Sequence, residues 1–215
     1  MKPLQVELRM TISNHWVVVG VKDKKATEIY IPDRVDGYDV KSIAERAFAN
    51  NLNITYVNIP STVDFIGEDA FRNCINLEKV YRYHSHCGKL RLEARAFMDC
   101  KSLSSVYLNG IHYLGAEAFK NCIKLQEFPF TENPNIPNFL KGTFENTGIK
   151  TVTLNYQQIC RNAFSGTPVE EVFITGKPRF SDEFMEIMKN AKVYVRKNSP
   201  MMDLAFHGIY VEEII

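Results

Sequence analysis

The chain has 215 residues, of which 45% are hydrophobic and 24% charged, a composition that is typical of folded proteins and excludes a disordered one. Its 26 basic and 25 acidic residues nearly cancel, so the concentrated positive charge that favours nucleic acids and anionic membranes is missing. No apolar run approaches the roughly 20 residues that span a bilayer, and we expect neither nucleic-acid binding nor membrane insertion.

The start of the sequence bears on localisation. Glu7 and Arg9 stand where a signal peptide would carry an apolar run. Five cysteines, an odd number, argue against a fully paired disulfide framework. These features favour the cytoplasm if Met1 is the native start, whereas a removed signal segment would place the protein at the cell surface or outside the cell. We leave the localisation open.

Three strands are predicted at the beginning of the chain. They cover residues 6–12, 16–21 and 27–31, with turns at 13–14 and 22–25. The first two are expected to form a hairpin, and the third carries an apolar alternation that recurs further along. Residues 1–31 are therefore predicted to be an amino-terminal β cap.

A sequence unit then recurs six times. Its most regular position is a phenylalanine, and the intervals between successive copies are 23, 26, 22, 25 and 20 residues. The six residues are Phe48, Phe71, Phe97, Phe119, Phe144 and Phe164. These intervals lie in or close to the range of about 20–29 residues that is typical of leucine-rich repeats.

Each unit continues in the same way after its phenylalanine. Three residues on stands a small side chain, followed by an aliphatic one and then by a short alternating strand. The small residues are Cys74, Cys100, Cys122, Thr147 and Thr167, and the strands are predicted at 80–82, 106–108, 128–130, 152–154 and 172–174. The first copy is assigned to Phe48, Leu52, Val57 and Ile59. One unit cannot bury its own apolar face, so neighbouring units must stack.

The alternation places two apolar side chains of each strand in the core. The Ala-Phe stretch is expected to form a single helical or 3-10 turn. Cys74, Cys100 and Cys122 should stack about 5 Å apart. A row of parallel side chains seldom has the torsion of roughly 90° that a disulfide requires, so we predict buried free thiols that pack as small hydrophobic groups.

The stretches at residues 70–74 and 118–122 both read A-F-x-N-C, and together with residues 59–67 they resemble the BspA-like leucine-rich-repeat family. The resemblance extends over six copies. It implies an α/β fold: a right-handed solenoid with a curved parallel β-sheet on one side and short helices or 3-10 turns on the other. It also implies a role in protein–protein or cell-surface recognition such as adhesion, without enzymatic activity or a cofactor.

The end of the chain is predicted to close the solenoid. A helix is expected to begin at Ser181, a strand to cover residues 193–195, a short helix 199–206 and a closing strand 209–214. Nothing between the two ends is rich in glycine and serine, so we predict one domain. It consists of the cap at 1–31, repeats at 32–180, and the last strand with a carboxy-terminal cap at 181–215.

The middle residue of each repeat strand should point away from the core, so these residues form a column on the outer surface. The column reads Tyr30, Asn58, Tyr81, Tyr107, Pro129, Thr153, Phe173 and Tyr194. Aromatic side chains are enriched where proteins bind partners. Strand propensity and stacking between strands would give the same pattern without a ligand, and both interpretations stay open. The predicted partner-binding residues are Tyr30, Asn58, Tyr81, Tyr107, Phe173 and Tyr194.

Metal binding and catalysis have less support. His84, His86 and Cys87 could offer metal ligands, yet two histidines one residue apart point to opposite faces of a strand. A surface insertion is the preferred interpretation, and no metal is predicted. The pairs Glu68-Asp69 and Glu170-Glu171 are expected at solvent-facing positions. Nucleophile, zinc-protease and phosphate-binding motifs are missing from the sequence.

The sequence therefore predicts a non-enzymatic recognition module that binds a protein or a glycan through the exposed sheet face. The alternative is a structural scaffold or self-associating spacer. An enzyme with an unrecognised site is a distant third interpretation. A monomer is favoured.

Overall fold

The computed structural model describes residues 5–82, 89–131, 133, 136–155, 157–196 and 199–214. These residues form a β-solenoid of about seven turns, built mostly from short strands. The strands in chain order are β1 (Val6–Met10), β2 (Trp16–Val21), β3 (Glu28–Tyr30), β4 (Arg34–Val35), β5 (Tyr38–Ile43), β6 (Tyr56–Asn58), β7 (Phe65–Ile66), β8 (Lys79–Arg82), β9 (Leu90–Leu92), β10 (Ser105–Leu108), β11 (Ile111–Leu114), β12 (Asn138–Phe139), β13 (Thr151–Leu154), β14 (Gln158–Ile159), β15 (Glu171–Ile174), β16 (Lys192–Arg196) and β17 (Val211–Ile214). An α-helix, α1 (Asp182–Met188), and a 3-10 helix (Pro200–His207) lie near the end of the chain.

The predicted repeat strands form two parallel sheets instead of one. The first has the order β10-β8-β6-β3, and the second has the order β13-β15-β16-β17. Residues 128–130, which the sequence assigned to a strand between them, form no strand. Pro129 occupies the central position there and has no N–H to donate to a ladder. The sheet is therefore interrupted at this residue, although the repeat pattern continues through it.

A second set of strands runs along another side of the solenoid, where we expected only helical turns. β5, β7, β9 and β11 pair in parallel and align Ile43, Ile66, Leu92 and Leu114. β12 and β14 form a further parallel pair. At the amino-terminal end, β1 and β2 pair in antiparallel fashion, and β2 joins this set through β5.

The Ala-Phe stretches are turns, and none of those in the described repeats is a helix. Each phenylalanine is flanked two residues before and two residues after by a left-handed residue, as with Asp69 (φ 55°) and Asn73 (φ 59°) around Phe71. A left-handed residue interrupts a right-handed helix, so the predicted helical turn cannot form. Asn, Asp or Gly fills the second position in every copy, because these residues tolerate the left-handed region best.

The repeat phenylalanines form a stack through the core. The ring centroids of Phe48, Phe71 and Phe97 are 4.8 and 5.0 Å apart, with planes within 5° of parallel. The stack continues through Phe119, Phe144 and Phe164 at spacings of 5.3, 5.8 and 5.2 Å. Phe184 of α1 contacts Phe164 at 5.3 Å, so the helix closes the stack.

Cys74, Cys100 and Cys122 are free and fully buried, as predicted. Each Sγ donates a hydrogen bond, at 3.1 Å, to the carbonyl oxygen of the phenylalanine in the preceding turn. Thr167 replaces the thiol with a hydroxyl that donates to the carbonyl of Phe144 at 2.6 Å. The position therefore selects a small donor, which both cysteine and threonine provide.

One assignment in the first repeat is wrong. Leu52 is 51% exposed, and the buried aliphatic residue of this unit is Ile54. Ile54 lies six residues after Phe48, the same distance that separates Leu77 from Phe71. Leu52 therefore lies in the turn, and the core position of this unit is two residues further on, at Ile54.

Two of the turns approach the preceding turn so closely that they require glycine. A Cβ atom on Gly115 would lie 2.4 Å from the main-chain nitrogen of Ala94, and one on Gly67 would lie 2.5 Å from that of Glu45. Real Cβ atoms do not approach so closely. Glycine is therefore a steric requirement at these two turns, whereas Ala44 and Glu93 stand at the equivalent position of other units.

The carboxy-terminal elements follow from local signals. Ser181 begins α1, and its hydroxyl accepts a hydrogen bond from the N–H of Phe184. Ser199 does the same for the N–H of Met201 at the start of the 3-10 helix. Gly208, with φ 76°, ends that helix in the left-handed region, and β17 then pairs with β16.

Candidate binding surface

The outward residues of the first repeat sheet align in two adjacent columns. Strand pairing places Tyr30, Asn58, Tyr81 and Tyr107 opposite one another. The neighbouring column contains Glu28, Tyr56, Lys79 and Ser105. We call Tyr30, Tyr56, Asn58, Tyr81 and Tyr107 the amino-terminal patch.

The four tyrosines of this patch contact each other in pairs. The rings of Tyr30 and Tyr56 lie 5.6 Å apart, and Tyr81 and Tyr107 lie 5.7 Å apart in an edge-to-face arrangement. The Tyr30 hydroxyl donates to Glu28 at 3.1 Å, and this hydrogen bond raises the pKa of Tyr30. Tyr30 and Tyr107 remain 41% and 53% exposed, so contact between the rings leaves much of their surface open to solvent.

The second repeat sheet carries a smaller set. Pairing of β13, β15, β16 and β17 aligns Thr153, Phe173, Tyr194 and Glu212, which we call the carboxy-terminal patch. Phe173 and Tyr194 are stacked at 4.7 Å with planes 15° apart, and both side chains are half-buried. Stacking between strands covers part of these rings, in contrast to the more exposed Tyr107.

The two patches are separated where the ladder is interrupted. The N–H groups of residues 104–105 donate to the carbonyl oxygen of Glu78 at 3.0 and 3.2 Å. Among the described residues, the N–H groups of 126–127 make no equivalent bond to the carbonyl of Ser104. Instead, the N–H of Phe130 turns back to the carbonyl of Phe128 at 2.8 Å, which forms a tight three-residue turn.

A cleft of about 220 Å³ opens at this interruption. It is lined by residues 104–107 of one turn and 127–129 of the next. Tyr107 thus forms a wall of the cleft, with the hydroxyl groups of Ser104 and Ser105 and the carboxylate of Glu127 beside it. The cleft combines an exposed aromatic face with several hydrogen-bonding groups, a combination found in ligand sites.

Arg82 supports this surface from beneath, and its role was not predicted. It takes the inward position at which β10 has the apolar Leu108, and its charged side chain is fully buried there. The guanidinium donates to the carbonyl oxygens of Ser61 and Val63, at 3.2 and 3.1 Å, and to that of Asn109. Arg82 therefore links the turns on both sides of β8, which carries Tyr81. The sequence signal that could have indicated this role was a charged residue at a position that the repeat otherwise fills with apolar residues.

Another group of charges lies in the turns, and it corrects the solvent-facing assignment of Asp69, while the Glu68 side chain is 46% exposed. Asp69 is only 1% exposed, and its carboxylate contacts Arg46 of the preceding turn, at 3.7 Å, as well as Arg95 of the next. Arg95 forms a two-point ion pair with it, at 2.9 and 3.3 Å, and also contacts Glu68. The pairing with Asp69 raises the pKa of Arg95. These groups are satisfied within the protein and serve to join adjacent turns.

The possible metal ligands His84, His86 and Cys87 lie outside the described residues. His112 is described, and its Nδ1 lies 3.0 Å from the carbonyl oxygen of Leu90. Within the described part of the chain, no three His, Cys, Asp or Glu residues cluster as metal ligands would. No helix there is long and apolar enough to cross a membrane.

The stacked turns, the phenylalanine core and the parallel ladders define a leucine-rich-repeat solenoid. The sequence model of a protein family, the BspA type leucine-rich repeat region, matches residues 41–170 of this chain in six copies. The chain belongs to this family. Such repeat proteins are generally non-enzymatic, and the architecture is consistent with a binding or scaffold module.

Solved structures show the same fold. A leucine-rich cell surface protein from Faecalibacterium prausnitzii matches 91% of this chain with a TM-score of 0.72 and 24% identity. The chain spans about half, 54%, of that protein. A leucine-rich-repeat protein from T. pallidum matches 99% of this chain and 97% of its own length, with a TM-score of 0.61 and 16% identity. The comparison with curated proteins gives no match.

Proposed function

We propose that the protein is a recognition module that binds a protein or a glycan ligand through the outward face of its repeat sheets. The observation that carries this proposal is Tyr107, which is 53% exposed beside a cleft of about 220 Å³. An aromatic side chain loses little conformational entropy on binding and offers a large contact area, so it is an effective anchor.

The amino-terminal patch is the stronger half of the proposed surface. Two of its tyrosines, Tyr30 and Tyr107, are more exposed than the rings of the carboxy-terminal patch, and it adjoins the cleft. Glu28, Lys79 and Glu127 surround it with both signs of charge, which gives a polar rim around an aromatic centre. Phe173 and Tyr194 would extend the contact for a ligand long enough to cross the interruption.

A location at the cell surface accords with this function. The similar F. prausnitzii protein is described as a cell surface protein. We also propose that the solenoid is right-handed and that its binding sheet is concave, as in other leucine-rich-repeat proteins. The test of location is whether antibodies against the protein label intact cells.

The binding test begins with arrays of defined oligosaccharides and of purified proteins, probed with the whole chain. Each positive probe is then titrated against a variant in which Tyr81, Tyr107 and Phe173 are replaced by serine. Ile123→Ser is the matched control, because Ile123 is 57% exposed in a turn after Cys122. Loss of binding in the triple variant alone supports the proposal, and equal binding by all three proteins contradicts it.

A further inference from the structure

Among the described residues, no strand pairs with the outer edge of β1, at the amino-terminal end of the solenoid. β1 pairs with β2 on one side and is the outermost strand of its sheet. Glu7 and Arg9 are exposed on one face, while Leu8 packs against the core and Met10 is partly exposed. The open edge of a strand is a template for pairing with another strand.

The hydrogen bonds of the hairpin show which residues direct their main-chain groups to the open edge. Lys22 donates to the carbonyl of Gln5 at 2.9 Å, and Thr11 donates to that of His15 at 3.0 Å. Residues 5 and 11 therefore face β2. Because direction alternates along an antiparallel strand, Val6, Leu8 and Met10 direct their N–H and C=O groups away from β2. The one extra residue at the shift in pairing lies in β2, so β1 itself is regular.

We propose that β1 is a self-association edge, and that a second copy of this chain pairs with it in antiparallel orientation about a two-fold axis at Leu8. In this register each Leu8 exchanges two main-chain hydrogen bonds with Leu8 of the second copy. Glu7 then stands directly opposite Arg9 of the second copy, and Arg9 opposite its Glu7. Opposite charges at directly opposed positions stabilise an antiparallel pair.

Charge complementarity selects this register over its neighbours. An axis at Glu7 would oppose two carboxylates, and an axis at Arg9 would oppose two guanidinium groups. Among the described residues, neither Glu7 nor Arg9 takes part in an ion pair within its own chain. Neither charge is neutralised within the described residues, so both remain for a second copy. The Glu7 carboxylate lies over Gly20 of β2 and would turn toward the open edge on pairing.

The other outer edges are less suited to self-pairing. β17, at the far end, carries Glu212 and Glu213 in succession, so antiparallel self-pairing with its axis at either residue would oppose two carboxylates. The edge of β3 is covered by Gln5, whose side chain accepts from the N–H of Tyr30 at 2.9 Å and donates to the carbonyl of Glu28 at 3.0 Å. β1 is therefore the end strand that fits a copy of itself.

Such pairing is independent of the proposed ligand surface, because β1 belongs to a different sheet from the amino-terminal patch. It departs from the monomer that the sequence favoured. A two-fold pair would carry two recognition surfaces, so a ligand with repeated epitopes would be bound with higher avidity.

The test is sedimentation velocity of the whole chain over a concentration series, for wild type, Glu7→Arg and Arg9→Glu. Each single reversal sets like charges opposite one another twice in the pair, so we expect self-association to weaken by about tenfold or more. In a heterodimer formed from an equimolar mixture of the two single variants, both opposed positions again pair a positive with a negative charge. The double variant Glu7→Arg/Arg9→Glu restores the same two pairs in a homodimer.

Glu213→Arg is the matched control, an exposed charge reversal on the edge strand at the far end. It should self-associate as the wild type does, and circular dichroism should show that every variant is folded. Recovery in the mixture and in the double variant supports the proposal. A monomeric wild type at all concentrations, or self-association that the single reversals leave unchanged or that the mixture does not restore, overturns it.

Discussion

Alkaline pH should destabilise the solenoid through its row of buried thiols. Burial raises the pKa of Cys74 to about 12 and raises the pKa values of Cys100 and Cys122 well above that of an exposed thiol. In the unfolded chain the same groups titrate at about 8.5–9. Because the folded thiols keep their protons while the unfolded ones lose them, their contribution to stability is complete below about pH 8.5 and is lost as the pH rises toward the folded values.

The size of the effect follows from proton linkage. Above the unfolded pKa, each thiol lowers the free energy of unfolding by about 1.4 kcal/mol per pH unit. The three thiols together give about 4 kcal/mol per pH unit. Two pH units would therefore remove an amount comparable to the entire stability of a typical domain, about 5–15 kcal/mol.

The assay is urea unfolding followed by circular dichroism at intervals from pH 7.5 to 10.5, with a reductant present. Wild type is compared with Cys100→Thr. Threonine is chosen because Thr167 already fills the equivalent position and donates to a carbonyl at 2.6 Å, without an ionisable proton in this range. Tyrosines and lysines titrate in both proteins, so their contributions cancel in the comparison.

We expect the pH dependence of Cys100→Thr to be shallower than that of wild type by about 1.4 kcal/mol per pH unit above pH 9. The difference should vanish below about pH 8, where both states of the thiol are protonated. Equal slopes in the two proteins would refute the reasoning, since the Cys100 thiol would then titrate alike in the folded and unfolded chains.

Three further substitutions, one of them with a control variant, test the packing of the turns by urea unfolding. Gly115→Ala should lower the free energy of unfolding by about 2–4 kcal/mol because its Cβ meets main-chain atoms, whereas Gly37→Ala, at φ 81° in open space, should cost about 1 kcal/mol; similar costs would contradict the steric argument. Arg82→Met should cost about 3–5 kcal/mol, since three carbonyl oxygens lose a charged donor, and a neutral result would show that Arg82 does not hold the turns together. Phe97→Ala should cost about 3–5 kcal/mol by opening a cavity within the ring stack, and a loss below about 1.5 kcal/mol would contradict the continuous stack.

The inward side of the repeat could be predicted because each position is under the same steric demand in every turn. Phe71 and Phe97 stack on each other, and Cys74 and Cys100 donate to equivalent carbonyls. Regular spacing of these residues in the sequence therefore translates directly into rows in space. The alternating strands also gave the correct alignment of Tyr81 with Tyr107.

The parts that could not be predicted are those where a local effect overrides the repeat. Pro129 stands in a position that the repeat assigns to a strand, and its missing N–H breaks the ladder. The strands of the second set, such as β7, have as few as two residues, too short for periodicity to reveal. Left-handed Arg95 and Glu117 carry no sequence signal comparable to that of Asn73, so the turns were predicted to be helical.

The outward face was predicted as one column and is divided in two by the interruption at Pro129. This division adds the cleft beside Tyr107, which could not be predicted from the residue pattern, because a cleft depends on how far two turns separate. Its binding role stays a prediction, as does the handedness of the solenoid.

The most direct test of the account is a calorimetric titration of the tightest probe from the arrays against wild type and Tyr107→Ser. Tyr107 is the most exposed ring of the amino-terminal patch and a wall of the cleft, so its loss should weaken binding by about 2 kcal/mol, or roughly thirtyfold. The exposed position of the side chain should leave the melting temperature within about 1–2 °C of wild type. Affinity equal to that of wild type would contradict the placement of the binding site on the outward face.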